Sequence, residues 1–199
     1  MSESNSSTAL PHFDAAITSG LKGIRSTAPY VPPKGRRHVQ VQGVEVKEAD
    51  FKFKVNGADA AIKGFRIYLS FREIEPSDGD TTGTLGTWAG ERSFWPSNVA
   101  ELDRVPVEER WKGGGLPGAI DKEGKVRDSI APNRLIGNLA ALTGLDDDSV
   151  KNDLGTAIQI VRDRAQAGLI AEVKINHYTP KNGGETQVTE YVEGLVTSA

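Results

Sequence analysis

The chain has 199 residues, of which 37% are hydrophobic and 26% charged, a balance typical of a globular protein with a core of its own. Its formal net charge of −3 does not favour indiscriminate binding to nucleic acid, although a local basic groove remains compatible with it. The absence of cysteine excludes disulfide bonds, thiolate nucleophiles and cysteine-ligated zinc.

No apolar run approaches the roughly 20 residues that a membrane helix needs. Residues 1–13 also lack the basic start and the apolar block of a secretory signal. We therefore expect a cytoplasmic protein that does not associate with a membrane.

The N-terminal part of the sequence differs in composition from the rest. Residues 1–43 contain five Lys or Arg against two acidic residues, so the remainder of the chain is more acidic than the total suggests. Prolines at positions 29, 32 and 33 remove backbone donors and oppose a helix. These features predict a flexible N-terminal arm over residues 1–38 and a folded domain over residues 39–199.

Three strand-like runs open the predicted domain. The first covers residues 39–55, where large apolar side chains alternate with Lys52 and Lys54, and Asn56-Gly57 ends it with a hairpin signal. The second covers residues 62–74 and alternates an apolar face with a polar face of Arg66, Tyr68, Ser70 and Arg72. The third, residues 86–95, is expected to place Trp88 and Phe94 on one face with Gly90 and Arg92.

Residues 97–129 are predicted to form an insertion loop, in which residues 99–111 have the composition of a short helix. Gly113-Gly114-Gly115 within it is not followed by the Lys-Ser/Thr pair of a phosphate-binding loop, and we interpret it as a flexible link.

Helices and a closing hairpin complete the predicted architecture. Apolar residues at helical spacing predict one helix from about Pro132 to Gly144 and a second that begins after Asp146-Asp147-Asp148 and ends near Gly168. A final hairpin follows, with its turn at residues 182–184. Three strands, helices and two more strands predict a mainly β fold with α insertions, namely a five-stranded OB-like barrel with helices between strands 3 and 4.

Catalytic and metal-binding patterns are missing from the sequence. His12, His38 and His177 lie far apart and have no metal-ligand spacing, and the triple aspartate is better explained as a helix-capping cluster. No nucleophile with a base, and no pair of carboxylates with a tuning partner, stands out. We therefore expect a protein that is not an enzyme and that uses neither a metal nor an organic cofactor.

The polar face of the second strand is the strongest functional lead. Non-specific binders of single-stranded nucleic acid combine cations that hold phosphates with rings that stack on bases. Candidates for this mixture are Lys52, Lys54, Arg66, Tyr68, Arg72, Trp88, Arg92 and Trp95, with Trp111 and Tyr178 as further stacking candidates. The alternative is a solvated strand face with tryptophans in the core, and the residues alone leave both open.

The segments RLIGNLAALTG and LIAEVKINHYTPKNGGETQVTEYV carry a resemblance. In this stretch the chain resembles phage-encoded OB-fold single-stranded DNA-binding proteins and a related phage and prophage family linked to replication and recombination. The similarity covers roughly residues 65–196. It implies non-sequence-specific binding of single-stranded DNA, with RNA as an alternative, in the host cytoplasm.

A different class of function also fits the sequence. A sheet-rich domain behind a proline-rich arm is typical of virion structural or assembly proteins whose arms link neighbouring subunits. Homo-oligomer formation is open under both hypotheses, and the mass of the particle in solution distinguishes them.

Overall fold

The computed structural model describes residues 30–75, 85–110, 115–117, 119, 131–179 and 187–196. Its strands are β1 (Gly35–Val55), β2 (Ala58–Glu73), β3 (Thr87–Pro96), β4 (Ile170–Tyr178) and β5 (Gln187–Leu195). Two 3₁₀ helices, Val99–Arg104 and Val107–Glu109, follow β3. In the described ranges, three α-helices lie between the 3₁₀ helices and β4: α1 (Ala131–Thr143), α2 (Asp147–Asn152) and α3 (Leu154–Gln166). Within the described ranges, no helix is both long enough and apolar enough to cross a membrane.

The five strands form one antiparallel sheet in the order β3-β2-β1-β4-β5. Asn56 and Gly57 have φ values of 51° and 83°, which a two-residue hairpin turn requires, and they join β1 to β2 as their sequence predicts. Gly43, at φ 135°, lies in a bulge where the β1–β2 register shifts. Because of this extra residue, Val41 and Val44 point to the same side of the sheet although their spacing is odd.

The main core lies between the sheet and the helices. Alternate residues of β1, β2 and β4, such as Leu69, Phe71 and Val173, pack there against α1 and α3. On α1 their partners include Leu135 and Leu139. The alternation of 67, 69 and 71 in β2 and of 171, 173 and 175 in β4 is confirmed by their burial. We call this side of the sheet the inner face.

A second core lies on the opposite side of the sheet, at the far end of the β1–β2 hairpin. Phe51 and Phe53 of β1, Ile62 of β2 and Phe94 of β3 pack there against Leu102, Val105 and Leu116, which belong to the segment after β3. Because the register of β1 and β2 has no shift between Val44 and Val55, their side chains alternate strictly between the two faces in this stretch. One face is buried near the helices, and the opposite face is buried near the hairpin tip. The predicted insertion is therefore, in its described part, the cover of a second core.

The sheet does not close into a hydrogen-bonded barrel among the described residues, so the closure implied by the predicted barrel is not found. Helix α1 packs against both edge strands, β3 and β5. Its buried Asn138 donates from Nδ2 to Glu190 O (3.0 Å) and accepts from Val192 N (2.9 Å), as a neighbouring strand would. The indole of Trp88 on β3 donates to the buried carboxylate of Glu190 on β5 (3.0 Å). Side chains thus fill the seam that a ladder of backbone bonds would otherwise close.

The remaining predictions about elements are largely confirmed. The described residues include five strands with helices between β3 and β4, and Gly144 and Gly168 end α1 and α3 with positive φ. The single helix predicted between the triple aspartate and Gly168 is instead two helices, α2 and α3, because Asp153 leaves helical geometry and caps α3 with its side chain. Asp146 caps α2 by accepting from Ser149 N (2.8 Å). Strand β1 begins at Gly35 and the compact unit at Val31, so the folded domain starts earlier than residue 39. The turn at residues 182–184 and residues 1–29 of the arm lie outside the described residues.

Candidate nucleic-acid interface

Strand register decides which polar side chains share a surface, because residues paired across a ladder project to the same side. Tyr68 pairs with Glu45, Arg66 with Lys47, and Arg72 with Gln40. All of these lie on the side of the sheet opposite the main core and before the second core begins. We call this surface the outer face; its members are Gln40, Glu45, Lys47, Arg66, Tyr68, Ser70 and Arg72.

Tyr68 lies near the middle of the outer face and is partly exposed. The Nζ atom of Lys47 lies 5.3 Å from the centre of its ring, within the range of a cation–π interaction. Lys47 also forms an ion pair with Glu45 (Nζ–Oε1 3.0 Å), in which both side chains are more than half exposed. An exposed pair of this kind contributes little, so the lysine can leave the ring for another partner.

Cations on the outer face outnumber acids. Arg66 lies directly opposite Lys47, an arrangement of like charges that destabilises a ladder unless an anion neutralises it. Neither Arg66 nor Arg72 forms an ion pair with another residue that the structure describes. Glu45 is the only acidic member of the outer face as defined, against three cations.

Arg92 belongs to the same surface by its backbone register. It pairs with Tyr68 on the strand that flanks β2 on the other side from β1. Its side chain is not among the described parts of the structure. Phe94, two residues on, pairs with Arg66 and is buried in the second core, which therefore forms the wall at this end of the outer face.

Lys52 and Lys54 were expected on the surface that carries Arg66 and Tyr68, and this expectation is wrong. Lys52 pairs with Ala61 and Lys54 with Asp59, which follow the odd-numbered series of β2 and not the even-numbered series of Arg66 and Tyr68. The two lysines therefore project from the opposite side of the hairpin. The sequence pattern identified two polar faces correctly but did not specify that they were different faces.

Both tryptophans proposed for base stacking also lie away from the outer face. Trp88 is only 6% exposed and packs on Phe71 in the main core, with ring centroids 5.7 Å apart. Trp95 pairs with Phe65 on the inner side and is partly buried against the main core. A bulge between Ala89 and Arg92 separates Trp88 from Phe94, so their expected common face is wrong as well.

Of the other stacking candidates, Tyr178 is 56% exposed at the end of β4, away from the outer face, and Trp111 lies outside the described residues.

Lys47 is a candidate binding residue that the sequence pattern did not identify. A signal for it exists: buried positions in β1 change from even-numbered Val44 to odd-numbered Phe51 and Phe53. Such a change of phase within a strand that has no bulge there means that the strand crosses from one core to another. Odd-numbered residues before the crossing, including Lys47, must then face solvent beside Tyr68.

Two other polar features bear on alternative chemistry. An open cavity of about 330 Å³ at the start of β1 is lined by the partly buried ion pair of Arg37 and Glu73 (3.3 Å), and Glu73 also accepts from Gly86 N (3.1 Å). These partners explain the pair as a structural link between β1, β2 and the start of β3. In the described ranges, no group of three or more His, Asp or Glu side chains is placed to hold a metal ion.

Comparison of the chain with protein-family models, with curated proteins and with solved structures finds no match. The geometry of the outer face is therefore the basis on which a function is proposed.

Proposed function

We propose that the protein binds single-stranded DNA without sequence specificity, through the outer face of β1, β2 and β3, and that it acts in phage-type replication or recombination. It does so as a binding protein and not as an enzyme. The observation that carries the proposal is the position of Tyr68 beside Lys47 and between the register positions of Glu45 and Arg92, with Arg66 opposite Lys47. A ring for base stacking and cations for phosphates lie on one accessible surface.

The strand order supports the same proposal. In the order β3-β2-β1-β4-β5 the two edge strands meet at the seam under α1, as in a five-stranded barrel left open between β3 and β5. OB folds are partly open five-stranded barrels, and they bind oligonucleotides on the face of strands 2 and 3. Arg66, Tyr68 and Arg72 occupy that face here.

Salt dependence gives the first test. Four cations on or beside the outer face, Lys47, Arg66, Arg72 and Arg92, set an upper estimate of about four phosphate contacts. For single strands this predicts a slope of log K against log salt of about −2.8, and so a loss of about 50-fold in affinity between roughly 50 and 200 mM salt. Fluorescence anisotropy with labelled oligo-dT measures this directly, and no binding at the lower salt concentration would refute the proposal.

Point variants locate the surface. Replacing Tyr68 by alanine should weaken binding by about 1–3 kcal/mol through lost stacking. Arg66→Ala should weaken binding and reduce the salt slope by about 0.7, corresponding to one phosphate contact. The matched control is Lys63→Ala, which removes an exposed cation from the same strand on the opposite side. If Lys63→Ala weakens binding as much as Arg66→Ala, the outer face is not the binding surface.

The alternative role as a virion structural protein depends on the N-terminal arm, most of which lies outside the described residues. A large symmetric particle that forms without nucleic acid, observed by light scattering, would favour it over the proposed binding function.

A further inference from the structure

Among the described residues, nothing pairs with the middle of the β1 edge that faces away from β2. Strand β4 pairs with β1 only over Gly35–Gln40. Farther along, Arg162 Nε donates to Val44 O (2.8 Å) and Lys54 N donates to Glu109 Oε2 (3.3 Å), so even-numbered residues direct their backbone groups to this edge. The same period places the N–H and C=O groups of residues 46, 48, 50 and 52 there, and no described residue pairs with them.

The side chains along this edge carry a charge pattern that is complementary to itself. Glu48, Asp50, Lys52 and Lys54 are all exposed and project from the same side of the hairpin. Two acids are followed by two bases, symmetrically about Phe51. When a second copy of the strand is laid antiparallel with a two-fold axis at Phe51, Asp50 faces Lys52 and Glu48 faces Lys54, and the symmetry repeats both pairs.

Charge selects this register over its neighbours. Strand pairing about a two-fold axis keeps side chains on their own side of the sheet, so the register changes only in steps of two residues. One step in one direction brings Asp50 opposite Asp50 of the other copy. One step in the other direction brings Lys52 opposite Lys52. Like charges directly opposite each other are destabilising, whereas the register centred on Phe51 has opposite charges throughout.

We propose that the free edge of β1 binds the same edge of a second copy of this chain, joining two five-stranded sheets into one continuous sheet. In the central pair, residues 50 and 52, both partners direct N–H and C=O groups to the edge, as a hydrogen-bonded antiparallel pair requires. The contact is short, so the dimer is weak and its formation depends on concentration. The dimer does not depend on the proposed DNA binding, since none of its residues belongs to the outer face.

The symmetry of the dimer has a consequence for the outer face. A two-fold axis perpendicular to the sheet keeps the outer faces of both copies on the same side. If the outer face binds single-stranded DNA as proposed, one dimer presents two binding surfaces to the same strand, and linkage of the two strengthens binding to oligonucleotides long enough to reach both.

Exchange of charges along the edge tests the dimer on the full-length chain. Sedimentation velocity over a concentration series at low salt should show the wild type passing from monomer towards dimer. Lys52→Glu/Lys54→Glu makes the edge wholly acidic, and Glu48→Lys/Asp50→Lys makes it wholly basic. Each variant alone should dimerise at least about tenfold more weakly because four facing pairs become like-charged, and an equimolar mixture of the two should recover dimer.

The control changes the same net charge away from the edge. Lys151→Glu/Lys174→Glu alters two other exposed lysines and should dimerise as the wild type does. Because the chain has no cysteine, mixing Asp50→Cys with Lys52→Cys gives an independent test of register: facing positions about 5.5 Å apart fall within disulfide range. A disulfide-linked dimer should form in the mixture and far less in either variant alone.

Three results would overturn the proposal. The first is a wild type that stays monomeric at every concentration. The second is association of the acidic and basic variants as strong as that of the wild type, which would place the contact elsewhere. Failure of the mixture to recover dimer, with both variants folded by circular dichroism, would refute the register.

Discussion

Asn138 offers the sharpest test of how the seam between β3 and β5 is held together. Its side-chain amide is 2% exposed and makes two hydrogen bonds to the outward edge of β5, one to Glu190 O and one from Val192 N. We expect Asn138→Ala to destabilise the protein while leaving the helix itself intact, because alanine is a good helix former.

The size of the effect follows from what is left behind. The carbonyl of Glu190 is buried and loses the Asn138 donor, and the N–H of Val192 is partly buried and loses the Asn138 acceptor. An unsatisfied buried backbone group costs about 1–3 kcal/mol, and the partly buried one costs less. The free energy of unfolding should therefore fall by about 2–4 kcal/mol.

Equilibrium unfolding in urea, followed by tryptophan fluorescence, measures the change, and amide exchange at Val192 should become faster in the variant. The neighbouring Gly137→Ala is the matched control. Its added methyl group has open space, and it should stabilise the protein by up to about 1 kcal/mol. If Asn138→Ala changed stability by less than about 0.5 kcal/mol, the level of an ordinary surface substitution, the amide would not hold the seam.

Three further predictions concern the cores and the helix caps. Gly64→Ala should lower the free energy of unfolding by about 1–3 kcal/mol, since a methyl group there overlaps the ring and backbone of β3. Trp88→Phe should lower it by about 1–3 kcal/mol, because the buried carboxylate of Glu190 loses the indole donor; chemical denaturation measures both variants. Asp146 and Asp153 cap α2 and α3 by accepting hydrogen bonds from Ser149 N and Thr156 N, and these backbone bonds are the main reason that the pKa of each carboxyl is lowered. The two caps therefore stabilise the protein fully above the ordinary aspartate pKa of about 3.9, and this stabilisation is lost as the pH falls through the lower folded-state pKa. In Asp146→Asn/Asp153→Asn, the free energy of unfolding should fall less steeply as the pH is lowered.

Each of these predictions has its own control or failing result. Gly194→Ala has open space around the added methyl group and should be nearly neutral, so equal losses for both glycine variants would contradict the packing argument. Trp95→Phe, in a partly buried position, should be the milder of the two tryptophan changes. If the free energy of unfolding fell equally steeply at acid pH in the double asparagine variant, other carboxylates would be responsible for the fall.

Local signals in the sequence predicted most of the elements because each depends on residues close together in the chain. Asn56-Gly57 specified a two-residue turn through its positive φ values, and Asp146 specified a helix start through its side-chain acceptor. Alternation along β2 separated Ile67 from Tyr68 correctly. For the same reason, three members of the candidate site, Arg66, Tyr68 and Arg72, were predictable as a group within one strand.

Relations between strands were not predictable in the same way. A bulge in β3 put Trp88 and Phe94 on opposite sides, and the register between β1 and β2 put Lys52 on the opposite side from Arg66 and Tyr68. The first depends on one extra residue and the second on how two strands align, and side-chain alternation within one strand specifies neither.

The sequence by itself determined the order of strands and helices, their turns and caps, and the polar character of one side of β2. The tertiary structure alone decided which polar stripes lie together, how α1 fills the seam between β3 and β5, and which edge of β1 stays open. The physical reason is that side-chain alternation has a period of two, so it identifies two sides of a strand but not what each side meets. Pairing register, bulges and the packing of distant segments supply that information, and they exist only in the folded chain.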